Sequence, residues 1–440
     1  MASNIILKFR TFVLGPVFGL ERQEYWAVAW SFVCFFCVLS SYYIMRPVRE
    51  AMAVDSGADT VPLLFTATFV VMMVATTVFG WVASRYPRRV FLPWVYLFFI
   101  ANILLFWLIF SQIIDDGRDH IWLGRVFFVW ISVFNLFVVS VFWSFMADIY
   151  TRDQGRRLFG FIAAGGSIGA ICGGAVTSLL VVKIGFENLL PIAAILLALA
   201  MFCIYQLNRW FEREQVVEVQ VPADLGKPLG GNLFGGITHV FQSNYFVGIA
   251  VCSIIASLLG TALYMFPIQL VEDSIAGTNE RTEFFSNINF WTNLFALIGQ
   301  LFLVRHVVVR FGIGRSLAVL PIVSIAGFLL LAFDPVLGVV AMLTIARRAL
   351  GFSFSKPATD MLYSVVTPEE KYKTKNFIDT AIYRFGDIVG IWAVKLMMVL
   401  GIAGVSLVML PFTLIWVIVA LWLGREYKRQ AIELKIKGFE

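Results

Sequence analysis

The chain has 440 residues, of which 60% are hydrophobic and only 14% are charged. A soluble domain is roughly half apolar and a quarter charged, so the composition excludes an ordinary water-soluble protein and indicates a surface that faces lipid. The formal net charge is +6, and its distribution among the loops favours a topological role over nucleic-acid binding.

A membrane-spanning helix needs roughly 20 mostly apolar residues. None of the apolar runs shows the alternating polarity of a β-barrel strand, so the predicted fold is all-α and polytopic, with twelve spans. We expect no cleaved signal peptide, because the apolar stretch Phe12–Leu20 is short and contains glycine and proline. The spans are predicted at Tyr25–Met45, Val61–Ala83, Val90–Ile113, Ile121–Ala147, Leu158–Val182, Leu189–Leu207, Asn244–Val271, Ser286–Val304, Ser316–Phe333, Val336–Phe354, Asn376–Leu400 and Val405–Gly424.

Lysine and arginine concentrate in every second connection between spans. Arg85, Arg88 and Arg89 follow the second span, whereas a single arginine lies in the connection 114–119 between the third and fourth. Positive loops stay on the cytoplasmic side, so we expect both termini in the cytoplasm and the protein in a cell inner membrane.

The two halves of the chain resemble each other. The Gly80 and Thr151 segments have counterparts at Gly299 and Thr367, offset by 219 and 216 residues, close to half the chain. We therefore predict six-helix bundles at 25–207 and 244–424, joined by a cytoplasmic linker at 208–243 and flanked by cytoplasmic ends at 1–24 and 425–440. Two parallel repeats predict a central site that opens alternately to each side.

Charged residues within spans are costly and should face a cavity or a partner. Arg46 and Arg49 share a helix face at the end of the first span, with Glu50 beside them. Guanidinium groups bind phosphate and carboxylate bidentately, so the functional interpretation is an anion site with Glu50 as a switchable counter-ion. The alternative is contact with lipid headgroups at the outer boundary. In either case Pro47 is expected to kink or end the helix there.

Two further groups of polar residues lie in the tenth and eleventh spans. Arg347 and Arg348 are adjacent, so at most one faces a central cavity squarely; the alternative is a structural pair with Asp360 or Asp379. In the eleventh span the candidate substrate-binding residues are Asp379, Tyr383, Arg384 and Asp387. Arg384 is expected to bind substrate while Asp379 or Asp387 competes for it, although Arg384 and Asp387 also suit a purely structural bridge.

Asn289 and Asn293 share a face of the eighth span and suit either a substrate contact or a helix–helix contact. No phosphate-binding loop is present, so ATP hydrolysis is not the expected energy source. The histidines are spaced too widely for a metal cluster and no catalytic triad stands out. We expect neither an enzyme nor a cofactor or metal.

Two segments carry family resemblances. Gly80–Arg89 resembles the loop signature of the major facilitator superfamily, with Ser84 and Pro87 at the usual acid and second glycine; this implies a gating role for Arg85, Arg88 and Arg89 opposite acids such as Asp148. The segment Lys356–Asp379 is similar to the characteristic segment of the ATP/ADP translocase family. That resemblance implies exchange of nucleotides.

The sequence thus predicts a secondary transporter that moves a small organic anion by alternating access in the lipid bilayer, acts as a monomer, and exchanges nucleotides if the narrower resemblance holds. The alternative is a transporter of the same fold for another cargo, such as a siderophore, a drug or a lysophospholipid, with possible proton coupling.

Overall fold

The computed structural model describes residues 24–85, 88–117, 119–215, 240, 243–366, 374–375 and 377–436. Within these ranges the regular elements are all helical. The α-helices, numbered in chain order, are α1 Tyr25–Asp55, α2 Val61–Arg85, α3 Arg88–Asp115, α4 Ile121–Ile149, α5 Arg152–Ile184, α6 Leu189–Gln215, α7 Asn244–Ser274, α8 Thr278–Ile298, α9 Val304–Phe333, α10 Leu337–Leu350, α11 Lys356–Leu362, α12 Tyr383–Met397 and α13 Gly401–Ile436.

Ten helical stretches among the described residues are long and apolar enough to cross a membrane. One of them, Tyr383–Glu433, contains most of the eleventh predicted span and all of the twelfth, because a 3₁₀ turn at Met398–Leu400 joins α12 to α13. The helix α8 is not among the ten, since its first turns carry charged residues such as Glu280 and Arg281. The all-α polytopic fold is confirmed, and the count agrees with twelve spans once these two cases are recognised.

Helix α1 does not end where Pro47 predicts a break. It continues for 31 residues to Asp55, with Pro47 buried inside it. Proline removes one backbone hydrogen bond, and a helix packed by its neighbours can retain its course despite that loss. Arg46 therefore lies nine residues, or roughly 13 Å along the axis, before the end of the helix, which continues past the predicted end of the span at Met45.

Several helices extend beyond their predicted spans or change their winding. Helices α6 and α13 continue past Leu207 and Gly424 to Gln215 and Ile436, since a helix that leaves the hydrocarbon tolerates charged residues. The predicted loop before the ninth span is also helical, broken only at Gly312, whose φ of 78° suits glycine. Helix segments with π winding lie at Gly299–Leu303, Gly351–Ser355 and Ile378–Ile382.

The described contacts divide the chain into two compact units. Helices α2 and α8 are each shared, so neither unit coincides with one half of the sequence. Unit one comprises Met1–Ser56, Val70–Pro222 and Gly277–Phe290, and unit two comprises Gly57–Phe69, Ala223–Ala276 and Trp291–Glu440.

Unit one is built around the close contact of α1 with α5. A Cβ atom added at Gly169 would overlap the Phe36 carbonyl, and one at Gly173 would lie 2.6 Å from the Ser40 carbonyl oxygen. The Ser40 hydroxyl donates to the Gly169 carbonyl at 3.0 Å. Small residues thus let the two backbones touch, and this contact fixes the position of α1 and of its charged residues.

In unit two, α7 packs against α12 through a similar set of small residues. A Cβ atom added at Gly386 would lie 3.1 Å from the Ser257 side chain, and one at Gly390 would lie 2.7 Å from the Thr261 hydroxyl. The close approach brings polar groups of α7 beside the first turns of α12, where the charged residues of the eleventh predicted span lie.

Candidate functional site

The first candidate cluster lies on α1 in unit one and consists of Arg46, Arg49 and Glu50. The Arg49 Nη2 atom donates to Glu50 Oε1 at 2.6 Å, and Arg46 Nε lies 3.9 Å from the same oxygen. The Glu50 side chain is 3% exposed, against 16% and 15% for the two arginines. One buried carboxylate is therefore shared between two guanidinium groups, and the three residues carry a formal charge of +1.

Both arginines also contact neutral groups. Arg49 donates to the Ser132 hydroxyl of α4 at 3.2 Å, and its guanidinium carbon lies 5.1 Å from the centre of the Phe128 ring. Arg46 donates to the Tyr43 hydroxyl at 3.3 Å, and its buried Nε makes no hydrogen bond among the described residues. Such contacts orient a guanidinium without neutralising it, which suits a site for an anion.

Arg347 is the most distinctive charge in unit two. It lies in the last turn of α10, and its Nη2 atom donates to the Ala256 carbonyl of α7 at 2.6 Å. Its Nε atom is buried without a hydrogen bond, and no carboxylate of the described residues lies within 4 Å of it. Among the described residues, neither Asp360 nor Asp379 pairs with Arg347; both lie beside lysines instead.

Beside it, α12 begins with Tyr383, Arg384 and Asp387. Arg384 Nη1 lies 3.8 Å from Asp387 Oδ2, and the other carboxylate oxygen accepts a hydrogen bond from the Ser257 hydroxyl of α7. The same hydroxyl lies 3.3 Å from the Tyr383 carbonyl oxygen. Asp387 is largely buried and Arg384 is half exposed. The structure thus brings Asp387 to Arg384, whereas Asp379 lies elsewhere.

Asp379 belongs to an ion network with two lysines. Lys356 Nζ lies 2.8 Å from Asp379 and 3.5 Å from Asp360, and Lys375 Nζ lies 2.8 Å from Asp360. Two positive and two negative charges balance in this network, so it has less capacity for an anion than the arginine clusters. Asp360 and Asp379, the acids predicted as alternative partners of Arg347, are thus paired with lysines.

For the other predicted residues the structure gives mainly their exposure. Asn289 is buried on α8, whereas Asn293 and Arg348 are partly exposed. Arg85 and Asp148 are exposed at the ends of α2 and α4. Arg88 and Arg89 begin α3, but their side chains lie outside the described residues, as does most of the predicted linker.

A third cluster, absent from the sequence predictions, lies at the end of α1 in unit one. Asp55 accepts hydrogen bonds from Arg281 at 2.6 Å and from the Thr278 hydroxyl at 2.9 Å, and His120 Nε2 lies 3.0 Å from Asp55 Oδ2. The hydrogen bond to Asp55 raises the pKa of His120 above its ordinary value, against the opposing effect of burial. We call these four residues the Asp55 cluster. Among the described residues there is no group of three or more potential metal ligands.

The long apolar helices define a polytopic membrane protein. The family model described as Major Facilitator Superfamily matches residues 31–390. The chain therefore belongs to the Major Facilitator Superfamily and is a transporter, not an enzyme.

Known proteins resemble the chain over almost its whole length. ADP,ATP carrier protein 2 of Chlamydia pneumoniae is 21% identical over an alignment of 511 positions, which covers 96% of this chain and 92% of the relative. A bacterial homologue of the iron transporter ferroportin, in an inward-facing state, matches with a TM-score of 0.63 and 11% identity, covering 92% of this chain and 98% of its own. The nucleoside transporter NupG matches with a TM-score of 0.51 and 17% identity, covering 93% and 100%. These structural likenesses establish the fold alone.

Proposed function

We propose that this transporter moves a small organic anion by alternating access and that its cargo is a nucleotide, taken up in exchange for another. The observation that carries the proposal is Arg347, a charged group inside a membrane helix whose described hydrogen bond goes to a neutral carbonyl. Leaving a charge in that setting is costly, and an anionic cargo that binds there recovers part of the cost.

The α1 cluster supports the same class of cargo. Glu50 lies where a phosphate or carboxylate of the substrate would bind, because Arg49 holds it at 2.6 Å and Arg46 faces the same oxygen. We assign Glu50 the role of an internal counter-ion that yields the guanidinium groups to the cargo. A residue that competes with substrate gives the two states of the cluster different affinities, which is the requirement for coupling occupancy to a conformational change.

Arg384 and Asp387 are proposed to act in the same way in unit two. Their separation of 3.8 Å is longer than a hydrogen bond, and Asp387 is held by Ser257 instead. Arg384 therefore retains donors for a cargo. Tyr383, Asn289, Asn293 and Arg348 are proposed as further substrate contacts, whereas Asp379 is proposed to act through its ion pair with Lys356.

The nucleotide is proposed because of the relative's name. The alignment with ADP,ATP carrier protein 2 covers more than nine tenths of each chain. Organic phosphates also match the donor geometry of arginine. We further propose an inner-membrane location with both termini cytoplasmic, activity as a monomer, and gating by Arg85, Arg88, Arg89 and Asp148.

The test is counter-exchange in proteoliposomes. Purified protein is reconstituted into vesicles loaded with unlabelled ADP or with buffer, and entry of labelled ATP is followed. We expect rapid entry only into ADP-loaded vesicles. Loss of a charge-assisted contact in Arg347→Gln should raise the KM by about 10- to 100-fold, whereas Arg209→Gln, an exposed arginine outside both clusters, should leave it unchanged.

Two outcomes contradict the proposal in different ways. Entry of nucleotide that is equal with and without internal ADP rejects exchange but retains an anion cargo. No entry of any organic phosphate or carboxylate, together with uptake of an uncharged compound, rejects the anion cargo and favours the alternative transporter of another small molecule.

A further inference from the structure

The contact that fixes Arg347 depends on a glycine of the neighbouring helix. Ala256 and Gly260 lie four residues apart on α7, so they occupy one face of that helix. Side chains tilt toward the N-terminus of a helix, and a bulky side chain at residue 260 would therefore lie over the Ala256 carbonyl. With glycine at residue 260, the carbonyl is open to a donor from another helix.

The Arg347 guanidinium occupies that open position. A Cβ atom added at Gly260 would lie 3.4 Å from Arg347 Nη1 and 3.6 Å from Nη2, at the limit of ordinary contact. The guanidinium therefore lies close to residue 260 while Nη2 donates to the Ala256 carbonyl oxygen. One methyl group fits here in ordinary contact, and we expect the larger valine side chain to displace the guanidinium.

The same stretch of α7 also binds Asp387 of α12, on another face. Ser257 lies about 100° around the helix from Ala256, and its hydroxyl donates to Asp387. The two faces of α7 thus anchor Arg347 and Asp387 separately, and the structure places no carboxylate within 4 Å of Arg347 among the described residues.

We propose that Gly260 is a positioning residue for substrate binding: it lets α7 fix the orientation of the Arg347 guanidinium through a neutral carbonyl, so that the guanidinium keeps its charge and its remaining donors for an anionic phosphate. The inference rests on the proposed function of the arginine clusters. It assigns a role in substrate binding to a residue that has no side chain. Replacing Gly260 should affect the anion through Arg347 and through no other route.

The experiment is a double-mutant cycle with two readouts. The proteins are wild type, Gly260→Val, Arg347→Gln and the double variant, with Gly260→Ala as the conservative change. Gly160→Val in α5 is the matched control, because an added Cβ atom at that helical glycine meets nothing within 4 Å. The first readout is the KM and kcat for ATP entry into ADP-loaded vesicles, and the second is the Tm of the ligand-free protein in detergent.

We expect Gly260→Val to raise the KM by about tenfold, the loss expected for one charge-assisted contact, with a smaller change in kcat. In the Arg347→Gln background the same substitution should add less than about twofold, because coupled residues are not additive. Gly260→Ala should behave like wild type, and Gly160→Val should change the KM little. The ligand-free Tm should also show coupling between positions 260 and 347.

Additive effects of the two substitutions on both KM and Tm would overturn the positioning role, even with normal transport by the wild type. Coupling in Tm with an unchanged KM would overturn it as well, since the contact would then be structural only. Failure of the proposed function has a different signature: the wild type itself binds and exchanges no organic phosphate.

Discussion

The Asp55 cluster predicts that the stability of the protein depends on pH through the protonation of His120. Asp55 is hydrogen-bonded to Arg281 on one oxygen and to His120 and Thr278 on the other. Asp119 precedes His120 and also favours its protonated form. The pKa of His120 is therefore raised above that of the unfolded chain, which is near 6.5.

The sign of the effect follows from that direction. Protonated His120 contributes its full stabilisation below about pH 6.5, and the contribution is lost as the pH rises through the raised pKa of the folded protein. Each unit by which the pKa is raised corresponds to about 1.4 kcal/mol, and a hydrogen bond to a charged group contributes about 1.5–3 kcal/mol.

The assay is the apparent Tm of purified protein at a series of pH values between 5 and 9. The difference in Tm between wild type and His120→Gln should be largest near pH 5–6, on the order of 1–4 °C, and should shrink toward zero by pH 9. Arg281→Gln should lower the Tm while retaining the pH dependence, since His120 and Asp55 remain. Identical pH profiles of wild type and His120→Gln would refute the reasoning.

Two further predictions concern packing and a buried ion pair in unit one. Gly169→Ala should destabilise the protein by about 1–3 kcal/mol, because the new methyl group meets the Phe36 carbonyl, whereas Gly160→Ala, which meets nothing, should be neutral or slightly stabilising; equal Tm values for the two variants would contradict the close contact of α1 with α5. Arg157→Gln should lower stability by about 1–3 kcal/mol, because Arg157 binds both oxygens of the buried Glu24 carboxylate at 2.9 and 3.3 Å, and a denaturant midpoint equal to that of wild type would show that this pair contributes nothing.

The helical fold could be predicted from the sequence because the hydrocarbon layer permits few alternatives. Runs of about 20 apolar residues must satisfy their backbone hydrogen bonds internally, so most spans follow from length and polarity alone. The ends of the helices were harder to predict, because a helix that leaves the bilayer can continue into water. The helix end expected at Pro47 did not occur for a related reason. The packing of α1 against α5 keeps the helix intact where an isolated segment would bend.

The arginines could be singled out from the sequence, whereas their environment could not. Their cost in hydrocarbon marks them as candidates wherever they occur. Which acid approaches which arginine depends on helix packing, however, and no sequence pattern indicated that Asp379 would bind Lys356. Arg347 is held by the backbone carbonyl of Ala256. No sequence pattern indicates that this carbonyl binds an arginine, or that Arg347 lies beside Gly260.

The Asp55 cluster was missed because its members lie far apart in the sequence. Asp55 and His120 are separated by 65 residues, and Asp55 and Arg281 by 226. No periodicity connects such positions. The available signal was an acid placed just after an apolar run, a pattern that many loop residues share.

The central claim is that guanidinium groups inside the helices bind an anionic cargo, and the affinity for adenosine, AMP and ADP tests it most directly. Calorimetry on wild type, Arg49→Gln and Arg347→Gln would measure all three ligands under one condition. The account predicts that affinity rises from adenosine to ADP in wild type and that each variant reduces this rise while changing adenosine little. Equal affinities of the wild type for all three ligands, or equal losses for all three in the variants, would contradict it.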